Sequence, residues 1–274
     1  MNSRFLLRAA GALVLTAGLV LAQKAAKQPK PKSQKEVDAI NAVFTATDPD
    51  ARIAAAENLL TKFADTEFKA VALQVAAASA QQKNDFEKMV IYSERTIEAD
   101  PQNYPAMLML ANGIAQKTRE FDLDKEEKLQ RSEKYARQAI ELIATAPKPR
   151  PDITDEQWEG AKKDYLAQAH EALGIAAMVR KKYDVAANEF KTSSEVAPAP
   201  DQATLVRLAA AYNLSGKPDA AIPVLDKVMA MPDLNPQIKQ VAQNEKNNAI
   251  KLKAGGVKPA AGAAPPAQVE VKKP

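Results

Sequence analysis

Between Glu36 and Lys253 the apolar positions recur at spacings of three and four, and no stretch alternates with period two. Each apolar segment therefore predicts an amphipathic helix and none predicts a strand. Small residues mark a second, longer period. Ala77, Gly174 and Ala209 are each followed 12 residues later by Met89, Ala186 and Ala221. Four further on stand Ser93, Phe190 and Leu225, and three beyond those Thr96, Ser193 and Val228. Pro101 and Pro198 close two of the units at matching distance, and Pro232 closes the third one residue early. A small residue facing another small residue lets two antiparallel helices cross closely, and the larger residues then fill the seam. Proline stops the second helix. A hairpin of about 34 residues cannot cover its own apolar face, so neighbouring hairpins must stack.

These residues resemble the tetratricopeptide repeat family. The best unit, Glu171 to Pro198, carries a Leu-Gly pair, Tyr183, Ala186, Phe190 and the terminal proline. Leu205 to Met229 matches nearly as well and adds Tyr212 and Gly216, Ala70 to Asn103 matches more weakly, and a divergent first unit is expected over 36–68. The resemblance implies an all-α, right-handed superhelical solenoid of antiparallel helix hairpins. Its units are 36–68, 70–103, 104–147, 155–198 and 202–235, followed by a polar cap helix over 236–253.

Two places depart from the repeat. From Ala111 to Ser132 is 21 residues where the other units need 12, so TREFDLDKEEKLQ contains an insertion. KPRPDITDEQW then leads into a lengthened helix. Thr154 with Gln157 three residues later is a capping-box pattern, which starts that helix near Asp155 and carries it to about Arg180. Insertions in a solenoid project on one side as tolerated loops or as binding features.

The chain ends differ in character. Residues 1–22 set Arg4 and Arg8 before an apolar run that closes on small residues, the layout of a cleaved signal peptide. The run from Ala9 to Ala22 is shorter than the roughly 20 residues that span a bilayer. Yet Lys24, Lys27, Lys30, Lys32 and Lys35 follow at once, and positive charge there resists translocation, so retention as an anchor is the alternative. Residues 23–35 read as a disordered basic linker and 254–274 as a disordered Pro/Ala/Gly tail. The net charge of +4 sits largely in these ends, and the mixed signs between them argue against a nucleic-acid groove. With no cysteine, disulfides and lipoprotein attachment are excluded.

Little points to catalysis. His170, the only histidine, precludes a two-histidine metal site on one chain, and its place in the best repeat suits packing or a hydrogen bond. A hydrolase would have to recruit that one ring. Asp122, Asp124, Glu126 and Glu127 lack the glycine and spacing of an EF-hand loop and read as a solvated helix start. No phosphate-binding glycine motif occurs in the repeats. Trp158 reads as packing for the lengthened helix, with a role as an exposed partner anchor as the alternative. The expectation is a protein that is not an enzyme and needs no cofactor or metal.

What the resemblance implies is protein binding. The family's groove-facing slots fall on Gln74, Gln81, Leu108, Asn112, Gln116, Gln168, Glu171, Ile175, Met178, Val206 and Asn213, with Val71 adding apolar ground. Amides donate and accept toward a peptide backbone while apolar patches bury side chains. Asn112 matches one slot of the family's carboxylate clamp, but Arg207 stands almost alone as a cation, which argues against such a clamp. The expected role is a periplasmic scaffold for a protein or peptide segment, with no nucleic acid. It touches the membrane only if residues 1–22 persist, and the oligomeric state stays open. Mass measurement of the N-terminus of the protein made in cells should give Gln23; Met1 would indicate an anchor.

Overall fold

Every apolar segment between Glu36 and Lys253 is helical in the computed structural model, which describes residues 29–255. The expected signal segment, the linker as far as 28 and the tail from 256 lie outside the described residues. Among the described residues there are eleven helices and no strand. They are α1 (Gln34–Thr45), α2 (Pro49–Lys62), α3 (Lys69–Gln82), α4 (Phe86–Ala99), α5 (Tyr104–Lys117), α6 (Lys125–Thr145), α7 (Asp155–Val179), α8 (Tyr183–Val196), α9 (Gln202–Leu214), α10 (Pro218–Met229) and α11 (Pro236–Lys253). Each helix packs on the next, giving stacked antiparallel helix hairpins closed by α11.

The repeat signature is the core. Ala77, Ala111, Ala209, Ala186, Ala221, Phe190 and Leu225 are all 0% exposed. At two seam positions a serine hydroxyl donates to a carbonyl of the facing helix, Ser132 Oγ to Ala111 O at 2.7 Å and Ser193 Oγ to Ala167 O at 2.8 Å, whereas Ser93 Oγ turns to Met89 Sδ on its own helix. At Gly174 the approach is close enough to exclude a side chain, since a Cβ there would lie 2.6 Å from the Phe190 ring.

Tight turns join the two helices of three hairpins in one way. Asn84 (φ 58°), Lys181 (φ 61°) and Gly216 (φ 74°) occupy the same slot in the left-handed region. The next amide donates back to the carbonyl five residues earlier: Asp85 N to Ala80 O, Lys182 N to Ala177 O and Lys217 N to Tyr212 O, at 2.9, 2.9 and 2.8 Å. This is a Schellman ending, which satisfies the last carbonyls of the first helix and reverses the chain.

Helix α5 ends otherwise. Thr118 leaves it in an extended conformation (φ −76°, ψ 130°) with its Oγ1 donating to Ile114 O at 2.7 Å. The insertion therefore escapes as a loop over 118–124, and the rest of it is extra turns at the start of the 21-residue α6. The lengthened α7 begins at Asp155 with both halves of the capping box formed by Thr154 and Gln157. Trp158 is buried, its Nε1 donating to Ala146 O at 3.2 Å, so it packs the long helix onto the preceding connection.

The basic linker ends earlier than its composition suggests. Ser33 caps α1 at Gln34, and Lys32 Nζ donates to Asp65 O at 2.9 Å and pairs with Asp65 Oδ2 at 2.5 Å. Lys30 N donates to Glu67 Oε2 at 2.9 Å. Glu36 is buried beneath this segment, and a bond from Thr66, then the Lys32 amide, hold its carboxyl below the usual range. Unpaired lysines would favour a solvated coil; acceptors one repeat away fasten these instead.

Two glycines of α7 should respond to alanine with opposite signs. At Gly160 a Cβ meets nothing within 4 Å, so Gly160→Ala should stabilise by about 0.5–1 kcal/mol through helix propensity. At Gly174 the same gain is outweighed by overpacking of about 1–3 kcal/mol, so Gly174→Ala should lower the urea midpoint, and adding Phe190→Leu should restore part of it. A second expectation concerns alkali. Burial, then the bond to Glu57, pushes the Tyr92 hydroxyl up to about 12, and burial, then the adjoining Tyr165, does the same for Tyr104. The unfolded chain loses these protons first, near pH 10, so their contribution is complete below pH 10 and is lost as pH rises toward 12. Tyrosinate absorbance followed together with circular dichroism should show both tyrosines ionising late, as helix is lost.

Candidate partner-binding groove

The odd-numbered helices form one flank of the stack. The backbones of α1 and α3, α3 and α5, α5 and α7, and α9 and α11 approach one another, while the even-numbered helices stand further apart. Those reach each other through long polar side chains, Tyr92 OH donating to Glu57 and Arg131 pairing with Glu94. Closer spacing in one row than in the other bends the stack toward the odd-numbered row, which therefore lines the concave face.

On this face the expected amides turn inward to join neighbouring hairpins. Gln74 Oε1 accepts from Nδ2 of Asn103, the α5 N-cap, at 3.1 Å. Asn112 Nδ2 donates to Leu108 O on its own helix and to Gln168 O on α7, both at 3.1 Å. Glu171 pairs with Arg207 at 2.5 Å, joining α7 to α9, which accounts for that lone cation. Asn213 Nδ2 donates to Glu245 O at 3.0 Å and to its carboxylate at 2.8 Å, joining α9 to α11. These bonds span 29, 56, 36 and 32 residues. All but the one crossing the two insertions therefore repeat the hairpin length.

The expected apolar floor is likewise covered. Leu108, Ile175, Met178 and Val206 are 2%, 7%, 7% and 4% exposed, and the polar Asn213 1%. These slots lie on the odd-numbered helices, but the sequence does not show that the next odd-numbered helix lies over them. Ile175 and Met178, for example, pack with Ala115 of α5 and with Leu208 and Ala211 of α9. Gln116 is half-buried, whereas Gln81 and Gln168 are exposed.

The open part of the face lies toward the N-terminus, where α3 touches α1 and α5 only lightly. Phe44 is 58% and Val71 36% exposed there, and Ala78 and Gln81 are exposed as well. Phe44 is absent from the residues expected from sequence because α1 lacks the small-residue signature. A register signal does exist. Asp50, Asp184 and Asp219, each second in its helix, pair with Lys83, Lys217 and Lys253. Aligning the three aspartates puts Phe44 in the slot of Met178 and Asn213.

The residues weighed for chemistry are otherwise engaged. His170 Nδ1 lies 2.7 Å from Glu189 Oε2, bridging α7 and α8. Lys128 pairs with Asp122 at 3.3 Å and Asp124 at 2.9 Å, and Arg180 with Glu126 at 2.8 Å. Among the described residues no group of three His, Cys, Asp or Glu is placed to hold a metal ion.

No protein-family model matches the chain, and no curated protein matches it. Among solved structures it is similar to a tetratricopeptide repeat protein from Parabacteroides merdae, at 14% identity over 82% of this chain and 95% of that one, with a TM-score of 0.40. It is also similar to the assembly chaperone of RpL4, Acl4, at 11% identity over 81% and 98%, with a TM-score of 0.44. The architecture rests on the helix pairing described above.

The amides of the face divide into two classes that stability can separate. Asn213→Ala should cost about 1–3 kcal/mol, since it strips a buried bond between two helices. Exposed Gln81→Ala should stay within about 0.5 kcal/mol of the parent in the same urea titration.

Proposed function

We propose that the chain is a non-enzymatic scaffold that holds a segment of another protein along the concave flank formed by α1, α3 and α5. The observation that carries this reading is the division of labour on that flank. Asn112, Glu171 and Asn213 bond to the neighbouring hairpin, while Phe44, Val71, Ala78 and Gln81 stand exposed. Large apolar side chains and an exposed amide on one flank suit a mixed ligand: apolar side chains can be buried while the amide meets a backbone group. Because the hairpins fix the face in advance, the ordering cost of binding falls mainly on the partner.

The location that fits is the bacterial periplasm, reached by cleavage after Ala22. Retention of residues 1–22 is the second reading, favoured by the lysines that follow the apolar run. In that case Lys30 and Lys32, fastened to Glu67 and Asp65, would hold the solenoid close to the bilayer.

A photo-crosslinking residue placed at Gln81 or Ala78 in living cells should capture one and the same protein. The same residue at Ile91, 52% exposed on α4, should not. Capture from Ile91 alone, or equal capture from both faces, would move the binding surface off the concave flank.

A further inference from the structure

The inserted loop inverts the usual arrangement of a surface connection. Its acidic side chains are held back toward the body. Glu120 pairs with Lys181 at 2.5 Å, Asp122 Oδ2 accepts from Arg119 N at 3.0 Å and pairs with Lys128, and Lys128 also pairs with Asp124. Backbone bonds from Asp122 N to Arg119 O and from Lys125 N to Asp122 O close the loop at 3.2 and 3.1 Å. Between these tethered acids Phe121 and Leu123 stand out in water, 88% and 107% exposed. A scattered exposed leucine means little, but two adjacent large apolar side chains on a loop so fastened form a fixed projection.

Beside it lies a cleft of about 580 Å³ between the next two turns along the same edge, lined by Tyr183, Val185, Leu214 and Gly216 with Lys181 and Lys182. Val185 is 48% exposed. Lys181 belongs to both features, since it lines the cleft and bonds the loop's Glu120. An apolar projection with acidic flanks therefore adjoins, on one molecule, an apolar hollow whose rim carries Lys181 and Lys182 and one acid, Asp184, which is paired with Lys217 at 2.8 Å. Phe121 is too exposed to be filling the hollow of its own chain.

We propose that this edge is a self-complementary surface through which two copies of the chain associate about a two-fold axis, Phe121 and Leu123 of each entering the Val185 cleft of the other. Two-fold symmetry requires that a projection and its matching hollow lie on one patch, and here they share a residue. Charge agrees with shape: Asp122 and Asp124 of one copy approach Lys182 of the second, repeating between chains the match that Glu120 and Lys181 make within one. The patch is small, below the roughly 1,200 Å² of a standard interface, so the dimer should be weak, with a Kd on the order of 10 µM. It lies on the turn edge, away from the concave flank, and stands or falls independently of groove binding.

Sedimentation velocity on the protein as recovered from cells, from about 1 to 200 µM, brackets that affinity. The parent should pass from monomer to dimer. F121A/L123A and, from the opposite side of the contact, Val185→Asp should each weaken association at least tenfold, with circular dichroism and melting unchanged because all three side chains are exposed. A parent that stays monomeric throughout, or a dimer that survives either variant, overturns the proposal. Vesicles of phosphatidylcholine and phosphatidylserine, floated with the same proteins, form the other arm. Binding by a monomeric parent that F121A/L123A abolishes would assign the projection to lipid instead.

Discussion

The distance at which two helix backbones can pass governs this molecule. Alanine at 0% exposure on both sides of a crossing, or glycine against a phenylalanine ring, removes the side-chain bulk that would hold the axes apart. Larger neighbours such as Leu225 and Phe190 then seal the seam. Because the close-crossing residue recurs in each hairpin after the first, one local solution to packing is copied along the chain. Repetition, and no single long-range closure, builds the stack.

From that close passage follows a polar consequence. Helices near enough to touch bring side chains of adjacent hairpins within bonding distance, and the bonds carry the repeat length in their spacing. Lys32 and Asp65 are 33 residues apart, Asp184 and Lys217 33, and Tyr92 and Glu57 35. Exposed pairs of this kind contribute little individually. Their effect is to fix register: a hairpin slipped by one turn would lose every partner in both directions at once.

The sequence was legible wherever a local rule applies. The Thr154 cap and the bounds of the polar final helix depend on nearest neighbours in the chain, and the small residues that mark crossings depend on one facing helix. What the sequence left hidden depends on a second neighbour. Leu108, Ile175 and Val206 lie on the flank their slots predict, but how far the next odd-numbered helix covers them is set by the curvature of the stack, which no single repeat encodes. Phe44 was hidden for the opposite reason. Its hairpin has Ile40 and Arg52 where the others have a small or slim apolar residue, so only the aspartate–lysine register reveals it.

The joints of the stack are also unequal. Helices α5 and α7 lie together along much of their lengths, whereas α7 and α9 keep their backbones apart and are spanned on the concave side by the Glu171–Arg207 pair. A rod with unequal joints does not flex evenly. Under tension or thermal agitation it would bend there first, so the last hairpin and the terminal helix would swing as a block against the rest, widening or narrowing the hollow they enclose.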